Sequence, residues 1–277
     1  MLNKQIKLFK NNNTIVLTDI DNFYFLDYEE EDVKINSNTT EIKGVDGLLV
    51  GKSSFSPFNL ELHCVFDGVN IKDYHLFKSK LRGIVYDREP YYVWHSDMPG
   101  KKYAVIPDSI DIEDKFGKNG EFTIKFIVYK GYSESLDDTS QFSISNGRWQ
   151  FEQGVTSLED AHYSHDHWGF RIYNGSSDTV NPVMGHNLKI KIHAEAPKGF
   201  SMKNETTGDI FEYKEPLNYS NELTIDGVHS YMNNKERVGK YTNYEWITLA
   251  PGYNQIVITG EGVKKIQTEW IFNFIYR

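Results

Sequence analysis

Leu60-Glu61-Leu62-His63-Cys64-Val65-Phe66 places Leu60, Leu62, Cys64 and Phe66 at every second position. Successive side chains of a strand point to opposite faces, so this period of two puts the four on one side of a sheet. The period returns near the end of the chain. Ile266, Thr268, Trp270, Phe272, Phe274 and Tyr276 share one face, and Gln267, Glu269 and Asn273 the other. Between these runs lie shorter ones, such as Tyr91–Trp94, Lys102–Ile106, Phe122–Tyr129, Phe170–Tyr173, Leu188–Ile192, Leu223–Ile225 and Ile256–Val257-Ile258. Short strands with turns at a spacing of about 8–12 residues are the pattern of a β-sandwich or jelly roll. The 18 Tyr and 17 Phe favour the same class, because flat side chains fit a pleated surface.

One segment has the helical period. Ile71, Tyr74, Phe77, Leu81 and Ile84 recur at spacings of three and four, which predicts a helix with one apolar stripe. Asn70 is its expected cap, with Asp73 three residues on. Cys64 is read as core rather than as a nucleophile, because it shares the apolar face of its strand. Lys118-Asn119-Gly120 reads as a hairpin turn, Glu29–Asp32 as a solvated turn, and the polar stretch Gly131–Gln141 as a linker. The chain of 277 residues is comfortable for two domains, divided here as 1–135 and 136–277.

The formal net charge of −9 makes the chain a poor partner for phosphate backbones or anionic membrane surfaces. A single cysteine allows no internal disulfide and no Cys-rich zinc site. No apolar run is long enough to span a bilayer, and Met1-Leu2-Asn3-Lys4-Gln5 lacks a signal-peptide core. A protein made and assembled in the cytoplasm is the simplest expectation.

Motifs for catalysis are scarce. There is no nucleophile elbow, phosphate-binding glycine loop or dinucleotide fingerprint. Asp108 and Asp111 offer a carboxylate pair of the type glycosidases use, but 39 acidic residues make such pairs unavoidable. The densest set of metal-ligand types is His162, His165 and His167 with Asp160 and Asp166. On a strand His165 and His167 would share a face and could ligate zinc together. The set matches no metallohydrolase signature, so a polar loop is the favoured reading and no metal or other cofactor is expected. Trp168, Tyr173, Tyr231, Tyr241, Tyr244 and Trp246 crowd the second half. Most are expected in the core, and Trp168, Tyr244 and Trp246 are the candidates for contact with a glycan or a partner.

Two regions together carry a family resemblance. The first runs from Val45-Asp46-Gly47 through the Leu60–Phe66 strand, the helix, Pro90-Tyr91-Tyr92 and Lys101–Val105 to Tyr129-Lys130-Gly131-Tyr132-Ser133-Glu134. The second is Thr206-Thr207-Gly208-Asp209-Ile210-Phe211-Glu212-Tyr213, then Leu223-Thr224-Ile225-Asp226, then Leu249-Ala250-Pro251-Gly252-Tyr253-Asn254-Gln255-Ile256-Val257-Ile258. Taken in this order, they resemble the distal tail proteins of long-tailed phages that infect Gram-positive bacteria. The resemblance implies a mostly β protein: an N-terminal β-sandwich or split-barrel-like domain with one helix, and a C-terminal galectin-like jelly roll similar to carbohydrate-binding modules. It further implies a homo-oligomer, usually a hexameric ring, in the tail tip of the virion. Its implied partners are the tail tube protein, the tail-associated fibre or lysin protein and a receptor-binding protein, with neither nucleic acid nor membrane. It brings no catalytic residues. A carbohydrate-binding protein that contacts cell-wall glycan is the alternative expectation, and a hydrolase built on the three histidines is the third.

Overall fold

The computed structural model describes residues 4–11, 13–143, 149 and 161–277. Strands dominate, and the chain divides into two compact units, Met1–Glu134 with Arg277, and Ser135–Tyr276.

The first unit contains β1 (Ile6–Lys10), β2 (Asn13–Val16), β3 (Phe23–Glu30), β4 (Ile35–Glu41), β5 (Leu48–Phe55), β6 (Phe58–Asp67), helix α1 (Ile71–Val85), β7 (Tyr91–His95), β8 (Lys101–Asp114) and β9 (Asn119–Ser135). One sheet runs in the order β2-β1-β7-β8-β9-β6-β3, while β4 and β5 pair only with each other. Strand β6 lies antiparallel to β3 and β9, with Leu62 opposite Tyr28 on one side and Ile124 on the other. Its alternation is realised as read: Leu60, Leu62, Cys64 and Phe66 are buried.

Helix α1 closes this core. The Asn70 side chain accepts a hydrogen bond from the Asp73 amide at 3.0 Å, and the Asp73 carboxylate accepts one from the Val69 amide at 2.9 Å. One of the amides that a helix start leaves unsatisfied is thereby bonded, and the Asp73 carboxylate reaches back to the residue before the cap. Tyr74, Phe77, Leu81 and Val85 form the buried stripe. Phe77 stacks on Phe66 at 3.8 Å between ring centroids and meets Phe122 edge-on at 5.2 Å. Ile71, expected in the stripe, is 58% exposed and takes no part in the buried face.

The structure also moves several expected boundaries. The β8–β9 turn is centred on Phe116-Gly117, where Gly117 has φ +73°, and Asn119-Gly120 already open β9. Gly120 serves packing rather than turning: a Cβ there would lie 2.0 Å from the Tyr74 hydroxyl. Glu29 and Glu30, read as part of a turn, end strand β3, and Glu30 accepts a hydrogen bond from the Tyr103 hydroxyl at 3.0 Å. The stretch read as a polar linker is strand as far as Ser135, followed by a short 3-10 turn over Thr139–Gln141.

The second unit contains β10 (Ser164–His165), β11 (Gly169–Asn174), β12 (Leu188–Glu195), β13 (Phe200–Asn204), β14 (Ile210–Tyr213), β15 (Leu223–Asp226), β16 (His229–Met232), β17 (Glu236–Arg237), β18 (Gly252–Thr259), β19 (Lys265–Phe272) and β20 (Ile275–Tyr276). A six-stranded sheet, β10-β19-β12-β15-β16-β17, and a four-stranded sheet, β11-β18-β13-β14, make a jelly-roll-like pair. The final run is broken where continuous alternation suggested one strand. At Asn273 the side-chain amide leaves the sheet to donate to the carbonyls of Ser135 and Asp137 at 3.0 and 3.1 Å. Among the described residues, no helix is long and apolar enough to cross a membrane.

Candidate functional site

The most unusual surface is the β4–β5 hairpin. Its sequence mixes β-branched and polar residues, Ile35-Asn36-Ser37-Asn38-Thr39-Thr40-Glu41 and Leu48-Leu49-Val50-Gly51-Lys52-Ser53-Ser54-Phe55. Thr39 pairs with Val50, Thr40 with Leu49 and Glu41 with Leu48, with a bulge between Ser37 and Thr39. Gly44 and Gly47, at φ +87° and +86°, turn the chain between the strands. Every residue of both strands is exposed. Leu48, Leu49 and Val50 stand 60%, 61% and 65% exposed, and alternation puts Leu49 on the face opposite the other two. A lone two-stranded hairpin is marginal in water, and this one exposes apolar side chains on both of its faces.

A second apolar surface lies at the start of α1. Phe116, at the tip of the β8–β9 hairpin, is 96% exposed, and Ile71 borders the adjoining Gly117. Asn70, Ile71, Lys72, Phe116 and Lys118 line an open cleft of about 530 Å³. Behind it the Tyr74 hydroxyl donates to Asp114 at 2.5 Å, and Lys78 reaches the same oxygen at 3.2 Å. These two hydrogen bonds hold the Asp114 carboxyl below its usual range.

The histidines do not converge on one point. His162 and His167 are exposed, and only His165 is on a strand, since β10 ends there. The His165 ring stacks on Phe170 at 4.3 Å, and its Nε2 bonds the His162 carbonyl at 2.8 Å. His167 turns to Asp166 at 2.5 Å. Asp160 lies outside the described residues. The expected shared face of His165 and His167 therefore does not form.

Among the described residues, only Glu29, Glu61 and His63 bring three metal-type ligands together. Lys125 already places its ammonium 3.3 Å from Glu61, and His63 Nδ1 is hydrogen-bonded to Thr123 at 3.2 Å. The cluster reads as an ion-pair network. Asp108 and Asp111 are both exposed on β8. Asp111 pairs instead with Lys125 at 3.2 Å.

The aromatic candidates separate. Trp168 is 40% and Tyr244 70% exposed, while Trp246 is half-buried. Tyr244 has φ +61°, a backbone region that bulky side chains avoid. Its amide donates to Thr242 Oγ1 at 3.1 Å, and the neighbouring Asn243 side chain ties the loop to Ile210 and Glu212. The loop is thus clamped with a tyrosine facing water.

The motif residues of the second half are structural. Asn254 is fully buried. Its carbonyl oxygen accepts from the Ala250 amide at 2.9 Å and from Asn204 at 3.0 Å, and its amide donates to the Ala250 carbonyl at 2.8 Å. Asp209 accepts from the Thr248 amide at 2.8 Å and from the Thr207 hydroxyl at 2.7 Å. The two side chains lock the loops that separate β13 from β14 and lead into β18.

Residues 11–128 match the sequence model of a family described as a phage tail protein RIFT-related domain. No curated protein sequence matches the chain. The fold matches the crystal structure of the Dit protein (gp 19.1) of phage SPP1, described as a paradigm of the hub adsorption apparatus in phages that infect Gram-positive bacteria. That match has a TM-score of 0.68 at 14% identity and covers 97% of this chain and 99% of that one. Chains of the phage p2 baseplate, in its activated conformation with Ca or Sr, align at TM-scores of 0.43 and 0.42. Their identities are 10% and 11%; each alignment covers 97% of this chain, with 98% and 97% of theirs. The chain therefore matches a phage tail protein family in the sequence of its first unit and the SPP1 Dit protein in fold.

Proposed function

We propose that this chain is a structural virion protein of the phage tail tip, a distal tail component that assembles into a hexameric ring. The ring serves as the hub between the tail tube and the host-adsorption proteins, a fibre or lysin protein on its axis and a receptor-binding protein outside. The β4–β5 hairpin is the observation that carries this reading. A solitary hairpin with Leu48, Leu49 and Val50 in water is costly unless another chain covers it, and a ring covers each copy's hairpin with its neighbour. The shared fold with the SPP1 protein supports the role of hub. Among the described residues the candidate carboxylates and histidines are scattered or paired off, which supports a structural role.

The test is a pair of substitutions on the hairpin, Leu49→Asp with Val50→Asp. The variant should keep the wild-type melting temperature yet sediment as a monomer under conditions where the wild type assembles. An assembled variant of unchanged mass would defeat the reading.

The clamped Tyr244 favours a second role for the second unit, contact with a glycan or a receptor-binding partner through Tyr244 with Trp168 and Trp246. Tyr244→Ala should weaken binding to cell-wall polysaccharide at least tenfold while leaving assembly unchanged; equal binding by both proteins would exclude it.

A further inference from the structure

The hairpin accounts for one side of a ring contact. A closed ring repeats a heterologous interface, so each copy must also present a different, complementary surface. The first unit has one, at the start of α1. Phe116 is almost wholly exposed at the β8–β9 tip, Ile71 and Val69 are 58% and 75% exposed nearby, and the cleft of about 530 Å³ lies against Phe116 and Ile71. Neither Phe116 nor Ile71 is needed for the core of this unit, which is built from Tyr74, Phe77, Leu81 and Val85 on the other side of the helix.

We infer that this cleft receives the tip of the β4–β5 hairpin from a second copy of the chain, an inference that rests on the ring proposed above. Three features support the pairing. Both surfaces are apolar at the centre: Ile42, Val45 and Leu48 at the hairpin tip are 46%, 62% and 60% exposed. The charges at the rims are complementary. The tip carries Glu41 and Asp46 against Lys43 alone, whereas the cleft is edged by Lys72 and Lys118, the latter 3.3 Å from Asp67. The reach also suffices. Eight residues of β5, at about 3.3 Å each, give an arm of about 25 Å, long enough to cross to a neighbouring copy. Opposite charges at a rim set orientation and rate of encounter, while the buried aromatic supplies most of the affinity.

The full chain tests this with Cys64→Ser, Val45→Cys and Phe116→Cys combined. Under oxidation the combination should give a ladder of covalent oligomers on a non-reducing gel, and either cysteine alone should give none. Because Cys64→Ser touches the core, a second route avoids it. Phe116→Asp should lower assembly at least tenfold with the melting temperature unchanged; Lys118→Glu should weaken assembly, and Asp46→Lys should restore it in that background. A wild-type ring that persists in Phe116→Asp, with no ladder in the double-cysteine protein, overturns this inference and leaves the hub reading intact. A wild-type chain that never assembles, with or without tail tube protein, overturns both.

Discussion

His95, the last residue of β7, is fully buried, and among the described residues neither ring nitrogen has a hydrogen-bond partner. It lies among Phe25, Tyr28 and Tyr103, with centroids at 5.8, 4.2 and 5.7 Å. Burial disfavours the imidazolium; Lys101 and Lys4 disfavour it further, Asp97 and Asp27 oppose them, and the outcome is a pKa lowered from 6.5 to about 4. The sign follows from the neutral ring being the form that folds. Stability is full above the unfolded value of 6.5, falls as the pH drops toward about 4, and loses nothing more from this group below that. At about 1.36 kcal/mol per pKa unit, the loss from pH 7 is about 2 kcal/mol by pH 5 and about 3 kcal/mol by pH 4. His95→Phe keeps an aromatic ring in the cage and removes the titration. Urea unfolding of both proteins at pH 7 and pH 5 isolates the contribution. Wild type should lose about 2 kcal/mol more than the variant over that interval. Equal losses would refute the assignment of a buried, neutral imidazole.

Asn254→Ala removes three to four buried hydrogen bonds and should cost the second unit about 2–4 kcal/mol, read as an earlier unfolding transition. Phe77→Ala empties the space between Phe66 and Phe122 and should cost the first unit about 3–5 kcal/mol in chemical denaturation. Burial pushes the Cys64 thiol well above its ordinary value. Native protein at pH 8 should therefore leave Ellman's reagent uncoloured, and unfolded protein should react with one equivalent.

Local rules carried much of the fold. The period of two placed β6 and β19, and an Asn cap followed by an apolar stripe placed α1, because in each the buried face and the backbone period agree. The errors came where tertiary contacts overrode local chemistry. Asn119-Gly120 looks like a turn, but Gly120 is there to admit the Tyr74 ring. Asn273 breaks a strand to serve Ser135 and Asp137, partners about 136 residues away that no local pattern reveals. The stretch Gly131–Gln141 is polar because Ser135 and Thr139 bond back to the last strands: the Phe274 amide donates to Ser135 Oγ at 3.0 Å, and the Thr139 hydroxyl donates to the Trp270 carbonyl at 2.7 Å.

The surface was harder to read. The hairpin strands 35–41 and 48–55 give no distinct sequence signal, because their Ser, Thr, Asn and Val residues follow no burial period. Their exposure becomes visible only when the sheet is seen to omit them. Phe116 stands alone two residues before the Lys118–Gly120 turn signal, with no apolar period to mark it. The three histidines drew attention by density alone, and β10 ends too soon to align them. Of the motif residues that carried the family resemblance, Asp209 and Asn254 secure loops, which makes them signatures of a fold rather than of a reaction.

The most direct test of the tail-hub account is the solution mass of the purified chain by light scattering, with negative-stain images of the same peak. Six copies of a 32.2 kDa chain, about 193 kDa, in a six-fold ring are the predicted result. A monomer of 32.2 kDa that forms no ring, even with the tail tube and fibre proteins present, would contradict it.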